Sequence, residues 1–189
     1  MPNSNIEQLI GVAELLRPLL DELVFVGGAV TGLLVTDDAA GDPRPTLDVD
    51  AIAGITSYLE YAVFGERLRA LGFSEDTRAG APVCRWVHGS LILDVMPVEG
   101  NVLGFSNRWY RATLDSATPH KVSGNLTIRI ITAPFFVATK LEAFKERGKG
   151  DLFASHDLED IVYLIDGRAG LVDEIRAQPS DLQAYIHAV

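Results

Sequence analysis

The chain has 189 residues, enough for one domain with a substantial core, and its 48% hydrophobic and 22% charged residues are an ordinary globular balance. Its net charge of -10, from 16 basic and 26 acidic residues, argues against broad nucleic-acid binding, which needs clustered Lys and Arg to neutralise phosphates. No apolar run approaches the roughly 20 residues that span a bilayer, the opening MPNSNIEQLI lacks the basic patch and apolar core of a signal peptide, and the lone Cys84 excludes an internal disulfide framework, so no membrane contact and a cytoplasmic, reducing setting are expected.

In chain order, Ser4 and Glu7 form a capping-box pair, and Ile6, Leu9, Ile10, Ala13 and Leu16 follow at helical spacing. Pro18 predicts a break. Leu23 to Val26 reads as a buried strand ended by the Gly27-Gly28 turn, with a short helix over Ala29 to Val35 and a loop over Asp37 to Pro45. Leu47 to Ile52 reads as a strand. Ser57 and Glu60 open a helix that runs to about Leu71, where Gly72 stops it. Cys84 to Val87 and Leu91 to Met96 form a hairpin around His88-Gly89, and Leu126 to Ile131 is a further strand. Thr132 and Pro134 start a helix. Another covers about Asp157 to Asp166 and closes at Gly167, and the tail from Leu171 is helical with a break near Pro179. This order predicts an α+β fold: a mixed sheet flanked by helices over residues 1–131, then a helical part over 132–189 packed on it.

The chemistry-bearing pattern is Thr46-Leu47-Asp48-Val49-Asp50-Ala51-Ile52. Alternate residues of a strand share a face, so Asp48 and Asp50 point one way while Leu47, Val49 and Ala51 point into a core. Two adjacent carboxylates repel each other unless a cation sits between them, and a hard divalent ion such as Mg²⁺ suits oxygen ligands. The plain alternative is the solvated face of an amphipathic strand, but Asp is disfavoured in strands. Asp94 interrupts the apolar run Leu91 to Met96. A lone charge there is costly to bury, so it either joins the first two aspartates or pairs with an arginine such as Arg85.

Gly27-Gly28 lies between a strand and a helix, where backbone N–H groups can cradle phosphate. Arg44 and Thr46, just before the acidic strand, are within reach of a triphosphate. Lys140 falls between Phe136 and Phe144 on the margin of an apolar helix stripe, so it either snorkels to solvent or reaches into a site. In Ser155-His156-Asp157-Leu158-Glu159-Asp160 the acidic residues complement a helix N-terminus. Leu158, Ile161, Val162 and Ile165 form the apolar stripe, and Asp157 and Asp160 share another face that can meet Lys140 or the substrate. Cys84, His88, His120, His187, Trp86 and Trp109 read as structural or surface residues.

Taken together, Gly27-Gly28, then Arg44-x-Thr46-x-Asp48-x-Asp50, then Asp94, resemble the polymerase-beta-like nucleotidyltransferase superfamily. Lys140 with Asp157-Leu-Glu-Asp160 is similar to its AbiEii-type toxin branch. The resemblance spans about Phe25 to Arg168. It implies transfer of a nucleoside monophosphate from an NTP to an acceptor hydroxyl with loss of pyrophosphate. It also implies Asp48, Asp50 and Asp94 as Mg²⁺ ligands, Gly27 and Gly28 as phosphate contacts, and Lys140 and Asp157 as further functional positions. Acceptors in that branch include tRNA 3′ ends, and its members often pair with an antitoxin. A small antibiotic-like acceptor, or nucleotide binding without turnover, are the competing expectations. Two positions depart from the pattern: Gly28 replaces a usual small hydroxyl residue, and His156 stands where a fixed cation is common.

Overall fold

The computed structural model describes residues 4–147 and 155–188. Its first helix, α1 (Ser4–Leu15), buries Leu9, Val12 and Ala13. Pro18 then sets a 3₁₀ turn over Arg17–Glu22, the tighter form the chain takes where proline opens a short helix. Four successive apolar residues, all buried, make β1 (Leu23–Val26). A continuous apolar run of this kind is what a central strand with helices on both faces requires. A short 3₁₀ turn (Gly28–Val30) and α2 (Thr31–Leu34) follow.

The acidic strand, β2 (Val49–Ala53), begins later than its sequence suggests. Leu47 therefore lies outside the alternation and is 79% exposed, not in the core as expected, whereas Val49 and Ala51 are buried. Next come α3 (Tyr58–Ala70), the two-residue β3 (Ser74–Glu75), and the hairpin β4 (Arg85–His88) and β5 (Leu91–Pro97). Ser57 caps α3 by accepting from the Glu60 N–H, and Gly89 turns the hairpin at φ 59°.

Residues 98–125 carry structure that periodicity did not reveal: α4 (Gly100–Leu103), α5 (Tyr110–Ser116) and β6 (Thr118–Ser123). The helices are one to two turns long. β6 contains a proline and is mostly exposed, which is where a sheet tolerates one. The chain closes with β7 (Leu126–Ile130), α6 (Ala133–Arg147), α7 (His156–Gly167), α8 (Leu171–Arg176) and α9 (Ser180–His187).

The described strands form one sheet in the order β3-β4-β5-β2-β1-β7-β6. The β2–β5 and β1–β7 pairs are parallel and the others antiparallel, so the sheet is mixed, as expected. The fold is α+β, with the sheet flanked by helices. A single apolar cluster runs from Leu9 on α1 through Phe25 and Trp86 to Phe136 on α6, Leu164 on α7 and Leu182 on α9. The helices after β7 thus share the core of the sheet. On α7 the buried apolar residues are Ile161 and Leu164, while Val162 and Ile165 are exposed, contrary to the expected stripe. The buried Asp160 takes part of that inward face. Among the described residues no helix is long and apolar enough to cross a membrane.

Phe25 is fully buried on β1 and lies in register with Ile130 of β7. Phe25→Ala should lower unfolding free energy by about 3–5 kcal/mol, the usual range for an aromatic cavity. Urea denaturation followed by circular dichroism measures it, and a loss below about 1 kcal/mol would contradict this central placement.

Candidate active site

The carboxylates meet because of strand register. In the parallel β2–β5 pair, Asp50 lies opposite Asp94, and in the antiparallel β4–β5 pair Asp94 lies opposite Arg85. Since side chains at paired positions share a face, the register alone sets Asp50, Asp94 and Arg85 side by side. Asp48, one residue ahead of β2, completes the group.

Arg85 joins them. Its Nε donates to Asp94 Oδ1 at 2.9 Å and its Nη2 to Asp94 Oδ2 at 2.8 Å, a two-point fork. The same Nη2 reaches Asp48 Oδ2 at 2.6 Å. Hydrogen bonding to Asp94 is the main reason the guanidinium is held even more firmly protonated than usual. The other Asp48 oxygen, Oδ1, accepts from the Thr46 hydroxyl at 2.8 Å. Both alternatives read from the sequence for Asp94 are therefore present at once: it stands beside the β2 aspartate and it pairs with Arg85.

Asp50 reaches the glycine turn. Gly27 has φ 67° and ψ -161°, a region open essentially to glycine alone. A Cβ there would lie 2.0 Å from Asp50 Oδ2. Gly27 thus lets the turn backbone approach a carboxylate. Gly28 fits more loosely: a Cβ would stand 3.3 Å from Arg44 Nη2 and 3.3 Å from Thr46 Cβ.

A second charged group faces the first. Arg44 donates from Nε and Nη2 to the two oxygens of Asp160 at 2.9 and 3.1 Å. Lys140 Nζ lies 2.7 Å from Asp160 Oδ2 and 3.2 Å from Asp157 Oδ1. Lys140 is only 8% exposed, so it reaches inward instead of snorkelling. Asp160 is 2% exposed, and burial of a charge at that depth requires such partners. Ser155 supplies the α7 N-cap, accepting from the Leu158 N–H, and so sets Asp157 and Asp160 on the face toward Lys140.

The loop that carries Arg44 and Thr46 is fixed from α1. Asn5, almost fully buried, donates to the Arg44 carbonyl at 2.8 Å and accepts from the Thr46 N–H at 3.0 Å. Gln8 donates to the Thr46 carbonyl at 3.1 Å. Asn5 and Gln8 escaped the sequence reading because a polar residue near a helix start carries no periodic signal of a distant contact. Asp160 and Arg85 were visible as candidate partners, but not as the residues that bind two segments each.

All nine residues singled out by sequence, namely Gly27, Gly28, Arg44, Thr46, Asp48, Asp50, Asp94, Lys140 and Asp157, line one cleft of about 880 Å³. Phe105, Asn107 and Tyr110, from the stretch around α4 and α5, form another part of its wall. Asn107 is anchored there by donating to the Thr139 carbonyl at 2.8 Å. The donor set is right for a hard divalent cation, being carboxylate oxygens with a hydroxyl behind one of them. Among the described residues, however, no three His, Cys, Asp or Glu side chains are arranged as a cation cage. Arg85 already engages Asp48 and both oxygens of Asp94.

No family pattern matches the sequence, and no curated protein matches it. Solved structures do. One is an antigenic nucleotidyltransferase-like protein from Paracoccidioides brasiliensis, at TM-score 0.56 and 16% identity, over 98% of this chain and 93% of that one. Another is the antibiotic-resistance factor ANT(2'')-Ia, whose solution structure shows substrate-regulated conformation dynamics, at TM-score 0.53 and 11% identity over 100% of both chains. The chain has a nucleotidyltransferase-like fold. At these identities the likeness concerns the fold.

Two outcomes follow from this geometry. Gly27→Ala should destabilise the protein by about 2–4 kcal/mol, combining backbone strain with overpacking against Asp50. Differential scanning calorimetry measures this, and an unchanged melting temperature would contradict the close approach. Cys84 lines the same cleft, and burial, then the carboxylates of Asp94 and Asp50, push its thiol up to about 12. At pH 8 it should react with a disulfide reagent at least tenfold more slowly than the urea-unfolded chain. Equal rates in folded and unfolded protein would contradict its placement.

Proposed function

We propose that this protein is a Mg²⁺-dependent nucleotidyltransferase that moves a nucleoside monophosphate from an NTP to an acceptor hydroxyl. The observation that carries the proposal is the convergence of two acidic strand positions, a glycine turn and two cations in one cleft. Each is a poor indicator alone, and their spacing in the chain is wide.

In this reading the acceptor oxygen forms a bond to the α-phosphorus, the bond from that phosphorus to the bridging oxygen breaks, and pyrophosphate leaves. The hydroxyl proton passes to a carboxylate of the site, Asp94 in this reading taking that role or orienting the hydroxyl. Gly27 and Gly28 present backbone to the phosphates, with Thr46 beside them. Lys140 and Arg44, held by Asp160, bring positive charge to the departing pyrophosphate. Asp157 orients Lys140. Mg²⁺ bound by Asp48 and Asp50, with Asp94 adjoining, would supply neutralisation of phosphate charge.

For the acceptor we favour a small, positively charged hydroxyl compound. The end-to-end match to an antibiotic-resistance factor and the net charge of -10 support it, because an acidic surface attracts cations and repels nucleic acid. The second reading, a toxin modifying tRNA or another RNA and held in check by an antitoxin protein, draws on the pairing of Lys140 with Asp157. Both place the protein in the cytoplasm, where NTPs are found.

Incubation with α-labelled NTPs, Mg²⁺ and parallel sets of aminoglycosides and tRNAs separates these readings. Label should move to a small acceptor with release of pyrophosphate, and Asp50→Asn should lower the rate at least about 100-fold without loss of fold. Transfer to tRNA alone would select the toxin reading. Absence of transfer to every acceptor, or full activity in Asp50→Asn, would reject nucleotidyl transfer at this site.

A further inference from the structure

Arg85 occupies the position a divalent cation would compete for. Three of its contacts with the carboxylates are short, and they differ in how easily they can be given up. The fork on Asp94 uses two donors and two acceptors, and the Asp94 side chain is 8% exposed. The contact with Asp48 uses one donor, and the Asp48 side chain is 28% exposed. A two-point buried pair is harder to open than a one-point pair at the cleft wall. Asp48 also has a second partner, the Thr46 hydroxyl, on its other oxygen.

We propose that Arg85 is a built-in counter-cation that sets the affinity of the carboxylate site for a divalent ion, yielding Asp48 while keeping Asp94. It acts as a positioning residue: it fixes both oxygens of Asp94 and lowers the free protein's appetite for metal. A metal that arrives with a nucleotide brings phosphate ligands of its own and needs only Asp48 released, beside Asp50. The proposal rests on the metal-dependent reading above, but its test needs no turnover.

The test is binding of Mn²⁺ to the protein without nucleotide, followed by calorimetry and by the electron paramagnetic resonance signal of the free ion. Removing one positive charge beside the carboxylates should tighten binding, so R85Q should bind Mn²⁺ about tenfold more tightly than wild type. R85K keeps the charge but not the fork. It should fall between the two, and it guards against loss of fold in R85Q, which thermal melting monitors. The double variant R85Q with Asp48→Asn should lose the gain. Equal or weaker Mn²⁺ binding in folded R85Q and R85K would overturn the proposal, as would a gain that survives Asp48→Asn. A protein that shows the expected series of affinities yet transfers no nucleotide would sustain the role of Arg85 while rejecting the enzymatic reading.

Discussion

Asp50 and Asp94 sit opposite each other on neighbouring parallel strands in the middle of the sheet, and everything else in the cleft answers to that placement. Two carboxylates at paired positions repel, and the strands that carry them are lined with buried Val49, Ala51, Leu93 and Val95. Slipping β2 by one residue would relieve the repulsion but would turn the buried Val49, Ala51 and Ala53 to the face that now carries Asp50. The register is therefore held by the core, and the charge is met by Arg85, which the β4–β5 hairpin delivers to the same row. The cost of an acidic row inside the fold is carried by hydrophobic packing on either side.

The opposite wall solves a similar problem by inversion. There one buried carboxylate, Asp160, faces two cations, Arg44 and Lys140, with Asp157 sharing the second. This cluster links the loop before β2 to α6 and α7. Such groups contribute little to stability as a sum, since desolvation offsets attraction, but losing one member leaves an uncompensated charge and costs about 3–5 kcal/mol. It fixes how the late helices sit over the early sheet. It also leaves a cleft with the acidic row on one wall and, on the other, Arg44 and Lys140 balanced by Asp160 and Asp157.

Much of this was legible in the sequence because each signal was local. Asp-x-Asp in a strand, Gly-Gly after an apolar run and a lysine on a helix margin are all short-range patterns, and their residues reach one cleft. The strand start was misjudged at Leu47 because alternation does not say where the ladder begins. β6 was missed because an exposed edge strand with a proline shows neither alternation nor an apolar run. On α7, Asp160 turns inward among apolar residues, so counting hydrophobics alone placed Val162 and Ile165 on the wrong side. The long-range links could not be read at all. Arg44 and Asp160 are 116 positions apart, and Asn5 reaches a loop some 40 residues away.

The central proposal is that the acidic row and the wall that carries Arg44 and Lys140 bind opposite ends of one metal–triphosphate. A crystal structure of the protein with a non-hydrolysable NTP analogue and Mg²⁺ tests it most directly. The account predicts a metal ion coordinated by Asp48 and Asp50, phosphates against Gly27 and Gly28, Lys140 or Arg44 within hydrogen-bond distance of the terminal phosphates, and Arg85 moved off Asp48. A nucleotide bound elsewhere, or one bound in this cleft with its phosphates away from Asp48 and Asp50, would contradict it.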